Sequence, residues 1–384
     1  MSRYLVLAVT LFGCGGPSTV PVFMAAAGSG GGPAGGTATA NAGGGEVATA
    51  GGGSTATAGG ASATAGGATA GGGSTATAGG GTGATAMNPP PLPTYSGGAC
   101  PSFPAGTSND GGTVIDVTGF TSSGVARAFK VVVPRNYDPA QKWPVVFGWH
   151  WLNASAGSIV REGEYEVATE QLGFIAVAPF ARTKPNGDKL YQFNWPFVEG
   201  TTQQNSVQAE EELVFFEDML ACVAATYNVD ERRVHMMGVS AGGLWTSFLM
   251  STPRANRVAS FLVISGGLGR DPFNVFNMQF TPQAHKFPAL VLWGGTTDSL
   301  GLDFHQASLR LRDALTMDNH FVVTCTHDAG HAMPPIPQPA SGTRFRPLYD
   351  FLLTHSYGLP ARTSPWQQSG LPADAPGWCA VYTP

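Results

Sequence analysis

The chain has 384 residues, of which only 12% are charged, and a formal net charge of −5. No basic stripe or block interrupts this mildly acidic balance, so nucleic acid is excluded as an electrostatic partner. Its 53 glycines crowd toward the N-terminal side, so the length overstates what can fold.

Arg3 gives a positive start, and Tyr4 to Phe12 form a short apolar run. A bilayer span needs ~20 apolar residues, so residues 1–13 read as a signal peptide and not as a membrane helix. Leu11-Phe12-Gly13-Cys14 resembles a bacterial lipobox, although Phe12 is bulkier than usual there. Cys14 is then the lipidated first residue of the mature chain, and membrane contact is expected only through that anchor. An ordinary cleaved signal with an incidental cysteine is the alternative. Residues 14–98 are mostly Gly, Ala, Thr, Ser and Pro, with Glu46 the single charge. The block GGGSTATAGG occurs at 51–60 and again at 71–80, without an apolar stripe that could stack. Such a segment cannot offset the entropy of ordering its backbone, so a disordered tether is expected, stiffened by prolines between Met87 and Pro93. Random-coil scaling gives it a reach on the order of 50 Å.

Residues 99–384 are long enough for one α/β core. They hold Cys100, Cys222, Cys325 and Cys379, an even number that suits an oxidising compartment. Bridges Cys100–Cys379, stapling the ends, and Cys222–Cys325 are the expectation among three possible pairings. No C-x-x-C, H-E-x-x-H or other close ligand pair occurs, so neither metal nor cofactor is expected.

Apolar runs of strand length at 128–133, 144–150 and 174–179 come first, with a helical stretch from Ser155 to Leu172 between the second and third. An irregular stretch, 180–205, precedes a helix over 206–227. Strands at 234–237, 260–265, 289–293 and 320–325 follow, with helices over 303–317 and 344–355. Continuous apolar strands separated by helices predict a mostly parallel sheet covered on both faces, with the active site at the carboxyl ends of its strands.

One such end carries Gly238-Val239-Ser240-Ala241-Gly242, the single G-x-S-x-G of the chain. In a strand–turn–helix context this is a nucleophile elbow, and the order Ser, then Asp or Glu, then His marks an α/β-hydrolase. Asp298, just past the 289–293 strand, is the candidate acid, with Asp303 as fallback and helix cap. His331, after the last of these strands, is the candidate base, with His327 as competitor; Gly330 permits the bend that turns His331 toward Ser240. The remaining histidines read as packed or solvated. The N–H of Ala241 and that of Trp151 or Leu152 are the expected oxyanion donors.

Val132-Val133-Pro134-Arg135-Asn136-Tyr137-Asp138, the run from Trp143 to His150, and Tyr227 to Gly243 resemble secreted feruloyl esterases and poly(3-hydroxybutyrate) depolymerase-like esterases. The resemblance covers residues 125–355. It implies Ser240 as nucleophile, Asp298 as acid, His331 as base and His150 as the histidine of a His-Gly oxyanion motif. Trp151 replaces the glycine of that motif, which narrows the acyl pocket or moves the donor. Trp149, Trp151 and Trp195 either wall an aromatic substrate site or fill the core. The expectation is an exported serine carboxylesterase, anchored through Cys14 and facing the periplasm or exterior, acting on feruloyl-type or other plant-polysaccharide esters. A short-chain polyester substrate, a peptidase on the same triad and a non-catalytic surface module are the alternatives.

Overall fold

The computed structural model describes residues 87–109, 111–191, 193–196, 203–270 and 277–384. The signal peptide, Cys14 and the tether as far as residue 86 lie outside the described residues.

The hairpin β1 (Thr113–Ser122) and β2 (Val125–Val133) opens the sheet. It continues with β3 (Trp143–Trp149), β4 (Ile175–Pro179), β5 (Val229–Val239), β6 (Ser260–Ile264), β9 (Ala289–Trp293), β10 (Val322–Thr326) and β11 (Cys379–Val381). A short β7 (Gly269–Arg270) and β8 (Asn277–Met278) pair separately. The large sheet has the order β1-β2-β4-β3-β5-β6-β9-β10-β11, parallel from β4 to β10 and antiparallel at both margins. Every residue of β3, β4, β6 and β9 is buried, as strands covered on two faces require.

Helices α1 (Ala156–Glu162), α2 (Tyr165–Leu172) and α6 (Arg346–Thr354) cover one face, where Val146, Val239 and Ile264 meet Phe351 and Leu352. The opposite face packs on α3 (Gln203–Thr226), α4 (Ala241–Leu249) and α5 (Phe304–Met317), through Phe147, Phe216, Leu244 and Leu311. A short α7 (Pro365–Ser369) follows α6. The single helix expected over Ser155–Leu172 is two: Gly163 ends the first, and Glu164 adopts a left-handed φ of 55° before the second.

Packing also begins earlier than the expected boundary at residue 99. The Tyr95 hydroxyl donates to Thr121 O at 2.6 Å, and Asp218 accepts from Ser96 N–H, Ser96 Oγ and Ser122 Oγ. Arg232 donates to Met87 O and Arg257 to Pro91 O. The last stretch of the expected tether, 87–98, is therefore docked, because Tyr95 supplies apolar area and Ser96 a partner for a buried carboxylate.

The disulfides are Cys100–Cys222 and Cys325–Cys379, which corrects both expected pairings. The first and last strands do not meet: β1 and β11 are opposite edges of the sheet. Cys379 instead stands in register with Cys325 across β10 and β11, while Cys100 meets α3 on the other flank. A buried bidentate pair between Arg127 on β2 and Glu212 on α3 secures that flank, with the guanidinium 3.8 Å from the Phe215 ring centroid.

Candidate active site

Strand β5 ends in a turn in which Ser240 has φ 54° and ψ −118°, a conformation that costs a residue with a Cβ about 1–3 kcal/mol. The surroundings hold it there: Ser240 N–H donates to Ile264 O at 2.8 Å, and α4 starts at the next residue. Gly242 must be glycine, because a Cβ there would stand 2.1 Å from Trp149 O and 2.5 Å from His150 O. The β3 loop is thereby pressed against the serine turn.

Three side chains converge on that turn. Ser240 Oγ lies 2.8 Å from His331 Nε2, and His331 Nδ1 lies 2.6 Å from Asp298 Oδ1. Asp298 follows β9 through a short 3-10 turn, Gly295–Thr297, and is fully buried. Its second oxygen accepts from Ser265 Oγ at 2.7 Å and Gly294 N–H at 2.8 Å. Burial works to raise its pKa. The hydrogen bonds from His331, Gly294 and Ser265 outweigh that, leaving it below the usual carboxylate value. Gly330, at φ 66°, makes the bend before His331, and its N–H donates to Gly294 O, joining the acid and imidazole loops. Phe304, the first residue of α5, stacks on His331 with ring centroids 4.3 Å apart.

The competing residues have other partners. Asp303 accepts from Gln306 N–H at 2.9 Å and caps α5. His327 Nδ1 accepts from Ala329 N–H, and its ring packs on Trp378. His235, His285, His320 and His355 are buried against Ser260, Val258 O, Asp318 and Ser364, while His305 accepts from Trp293 Nε1. Ser265, the Gly294 N–H and Phe304 were not singled out from the sequence. Ser265 directly follows the strand beside the elbow and has φ 48°, a placement that only the order of strands in the sheet reveals.

Behind the elbow, His150 is fully buried, and its Nδ1 lies 2.9 Å from Trp151 O. Burial pulls its pKa down to about 4 against that hydrogen bond, so the ring is neutral at pH 7. A carbonyl only accepts, so the proton sits on Nδ1 and Nε2 is a bare acceptor. No described group pairs with that Nε2. His150 forms part of the wall of an open cavity of about 310 Å³, together with Asn153, Phe180, Arg182, Lys189 and Asn194. Trp149, Trp151 and Trp195 are each no more than 5% exposed and belong to the packed interior; Trp195 donates to His150 O. Among the described residues no group of three His, Cys, Asp or Glu side chains could hold a metal ion, and no helix is long and apolar enough to cross a membrane.

No protein-family model matches the chain. It is 29% identical over 144 residues to feruloyl esterase D of Neurospora crassa, covering 38% of this chain and 47% of that protein. It is also 29% identical over 180 residues to an oxidized polyvinyl alcohol hydrolase of a Pseudomonas species, covering 42% and 46%. The chain thus spans about half the length of these curated relatives. Among solved structures, native pOPH superposes with a TM-score of 0.55 at 22% identity, covering 73% of this chain and 98% of that one. Native sOPH gives 0.51 at 19%, covering 74% and 96%. In fold the chain is an α/β-hydrolase, and in sequence it is similar to a feruloyl esterase and an oxidized polyvinyl alcohol hydrolase.

Proposed function

We propose that the chain is an exported serine carboxylesterase working through an acyl-enzyme on Ser240. The hydrogen-bonded series Ser240–His331–Asp298, with a buried carboxylate held below its usual pKa, is the observation that carries this reading. Ser240 Oγ attacks the ester carbonyl while its proton passes to His331 Nε2; Asp298 keeps the other ring proton on Nδ1 and stabilises the imidazolium. The tetrahedral adduct collapses, His331 returns the proton to the departing alkoxide oxygen, and the alcohol leaves. Water, deprotonated by the same imidazole, then releases the acid.

Ala241 opens α4, so its N–H has no partner within the helix and can serve the oxyanion. Leu152 is the better choice for the second donor. His150 Nδ1–H holds the Trp151 carbonyl, and in a trans peptide the Leu152 N–H points the opposite way. No described group accepts from it.

The finer substrate reading is a feruloyl-type or other plant-polysaccharide ester. The cavity beside His150 supports it, since Asn153, Asn194, Arg182 and Lys189 bring polar groups and Phe180 a ring to a polyhydroxylated alcohol. The relative named oxidized polyvinyl alcohol hydrolase supports a second reading, a polyester or related synthetic polymer. The two disulfides support folding in an oxidising compartment, and the lipobox-like Leu11-Phe12-Gly13-Cys14 supports Cys14 as a lipid anchor. Wild type should hydrolyse p-nitrophenyl acetate or methyl ferulate and be labelled by a fluorophosphonate. Ser240→Ala should lose at least ~10⁴-fold in kcat together with the label; a variant retaining full activity would refute the assignment. Cys14→Ser should release the protein from membranes, and unchanged membrane association would remove the anchor.

A further inference from the structure

Trp151 stands where the resemblance to esterases leads one to expect glycine, and its indole has a defined place. Together with Val239, Ile264, Met333, Phe345 and Leu348 it lines an apolar cavity between the sheet and α6. Three of these are neighbours of the proposed reacting groups. Val239 precedes Ser240, Ile264 O accepts the Ser240 N–H, and Met333 lies two residues beyond His331. Apart from Glu162 the walls carry no charge. The space left is about 20 Å³, roughly what one water needs, so the cavity as it stands holds nothing larger. Trp151 is 5% exposed and packs in the same apolar cluster as Val239, Ile264 and Met333.

We propose that Trp151 sets the acyl-length limit of the enzyme: its indole stoppers an apolar slot that would otherwise admit an aliphatic acyl chain beside Ser240. This rests on the esterase reading and concerns the acyl side of the substrate, whereas the cavity beside His150 is polar and suits the alcohol side. Removing the indole leaves the backbone N–H groups in place and joins its volume to the apolar space behind it. An acyl chain then gains contact with Val239, Ile264 and Leu348 where wild type presents a closed wall.

The test is kcat/KM for p-nitrophenyl acetate, butyrate and octanoate, with wild type, Trp151→Ala and Trp151→Leu. One methylene refused by an apolar pocket changes kcat/KM by about tenfold or more, so refusal of only two of the six that octanoate adds to acetate makes wild type discriminate by ~100-fold, and Trp151→Ala, by admitting one of them, should raise the octanoate-to-acetate ratio at least tenfold. Trp151→Leu, which retains more packing, should fall between, and it carries the test if the alanine variant does not fold. A purely structural role would lower all three esters together. An unchanged ratio in a folded variant, or a wild type that already takes octanoate as readily as acetate, overturns the proposal while leaving the esterase reading intact. A wild type that hydrolyses no ester overturns both.

Discussion

Ser364 and His355 make nearly the same contact as Ser240 and His331. Ser364 Oγ lies 2.6 Å from His355 Nε2, and His355 Nδ1 lies 2.6 Å from an oxygen, the Phe351 carbonyl. The carbonyl needs the proton on Nδ1, so in both places a serine hydroxyl faces a bare Nε2. Two things differ. Behind His355 stands a neutral carbonyl, which cannot balance an imidazolium as the carboxylate of Asp298 can. In addition, His355 is fully buried among Phe351, Trp366 and Phe321, whereas Ser240 sits on a strained turn at a strand's carboxyl end. A serine beside a histidine is thus a packing motif until an anion and a strained strand-end turn are added.

The largest test of that contrast removes the anion. Asp298→Asn keeps the shape but offers no charge to the imidazolium and invites the wrong tautomer, so kcat should fall ~10⁴-fold while the fold persists. Steady-state ester hydrolysis with circular dichroism checks it; a loss below tenfold would place Ser240–His331 with Ser364–His355. Fluorophosphonate labelling with peptide mapping should modify Ser240 and leave Ser364 untouched.

These differences were unequally legible in the sequence. The elbow is a local pattern, since the glycines around Ser240 are dictated by close approach within a few residues. Asp298 and His331 follow from strand order, because each stands just beyond an apolar run. Asp303 reads correctly as a cap from its position before a helix. By contrast, β1 is an edge strand of mixed exposure with a bulge between Val117 and Phe120, so it lacks the continuous apolar run that marks β3 or β9. Gly163 marks the break between the first two helices, but the left-handed turn there falls on Glu164, a residue type that does not announce it. Disulfide pairing turns on which edge of the sheet each cysteine reaches, a property of the assembled topology. Ser265 and the His150–Trp151 contact are likewise products of strand neighbours and loop geometry, with no spacing to betray them.

A middle-sized effect concerns the buried imidazoles. Burial pulls His355, His285 and His150 down to about 4, with backbone hydrogen bonds to Phe351, Val258 and Trp151 offsetting part of that pull. An unfolded histidine binds its proton below about 6.5. Between those values the unfolded chain carries more protons than the native one, so stability falls as pH drops through the window. Each such histidine should remove on the order of 2 kcal/mol at pH 5. Melting temperature should drop between pH 7.5 and 5, and His355→Gln should flatten that dependence; equal slopes in variant and wild type would show that His355 does not contribute.

The smallest expected effect sharpens the role of the carboxylate itself. Asp298 Oδ2 is held by Ser265 Oγ and Gly294 N–H, leaving Oδ1 for His331. Ser265→Ala removes one of these restraints without touching Ser240 or the imidazole. A hydrogen bond to a charged group contributes about 1.5–3 kcal/mol, but a neighbouring donor remains, so a loss in kcat of about tenfold is expected. Since Ser265 acts through Asp298 and not on substrate, KM should stay within about twofold while kcat falls. If KM rises and kcat holds, Ser265 shapes the binding surface instead, and the Gly294 N–H alone suffices to orient the acid. The outcome separates a carboxylate aimed by its neighbours from one that is merely buried beside a histidine.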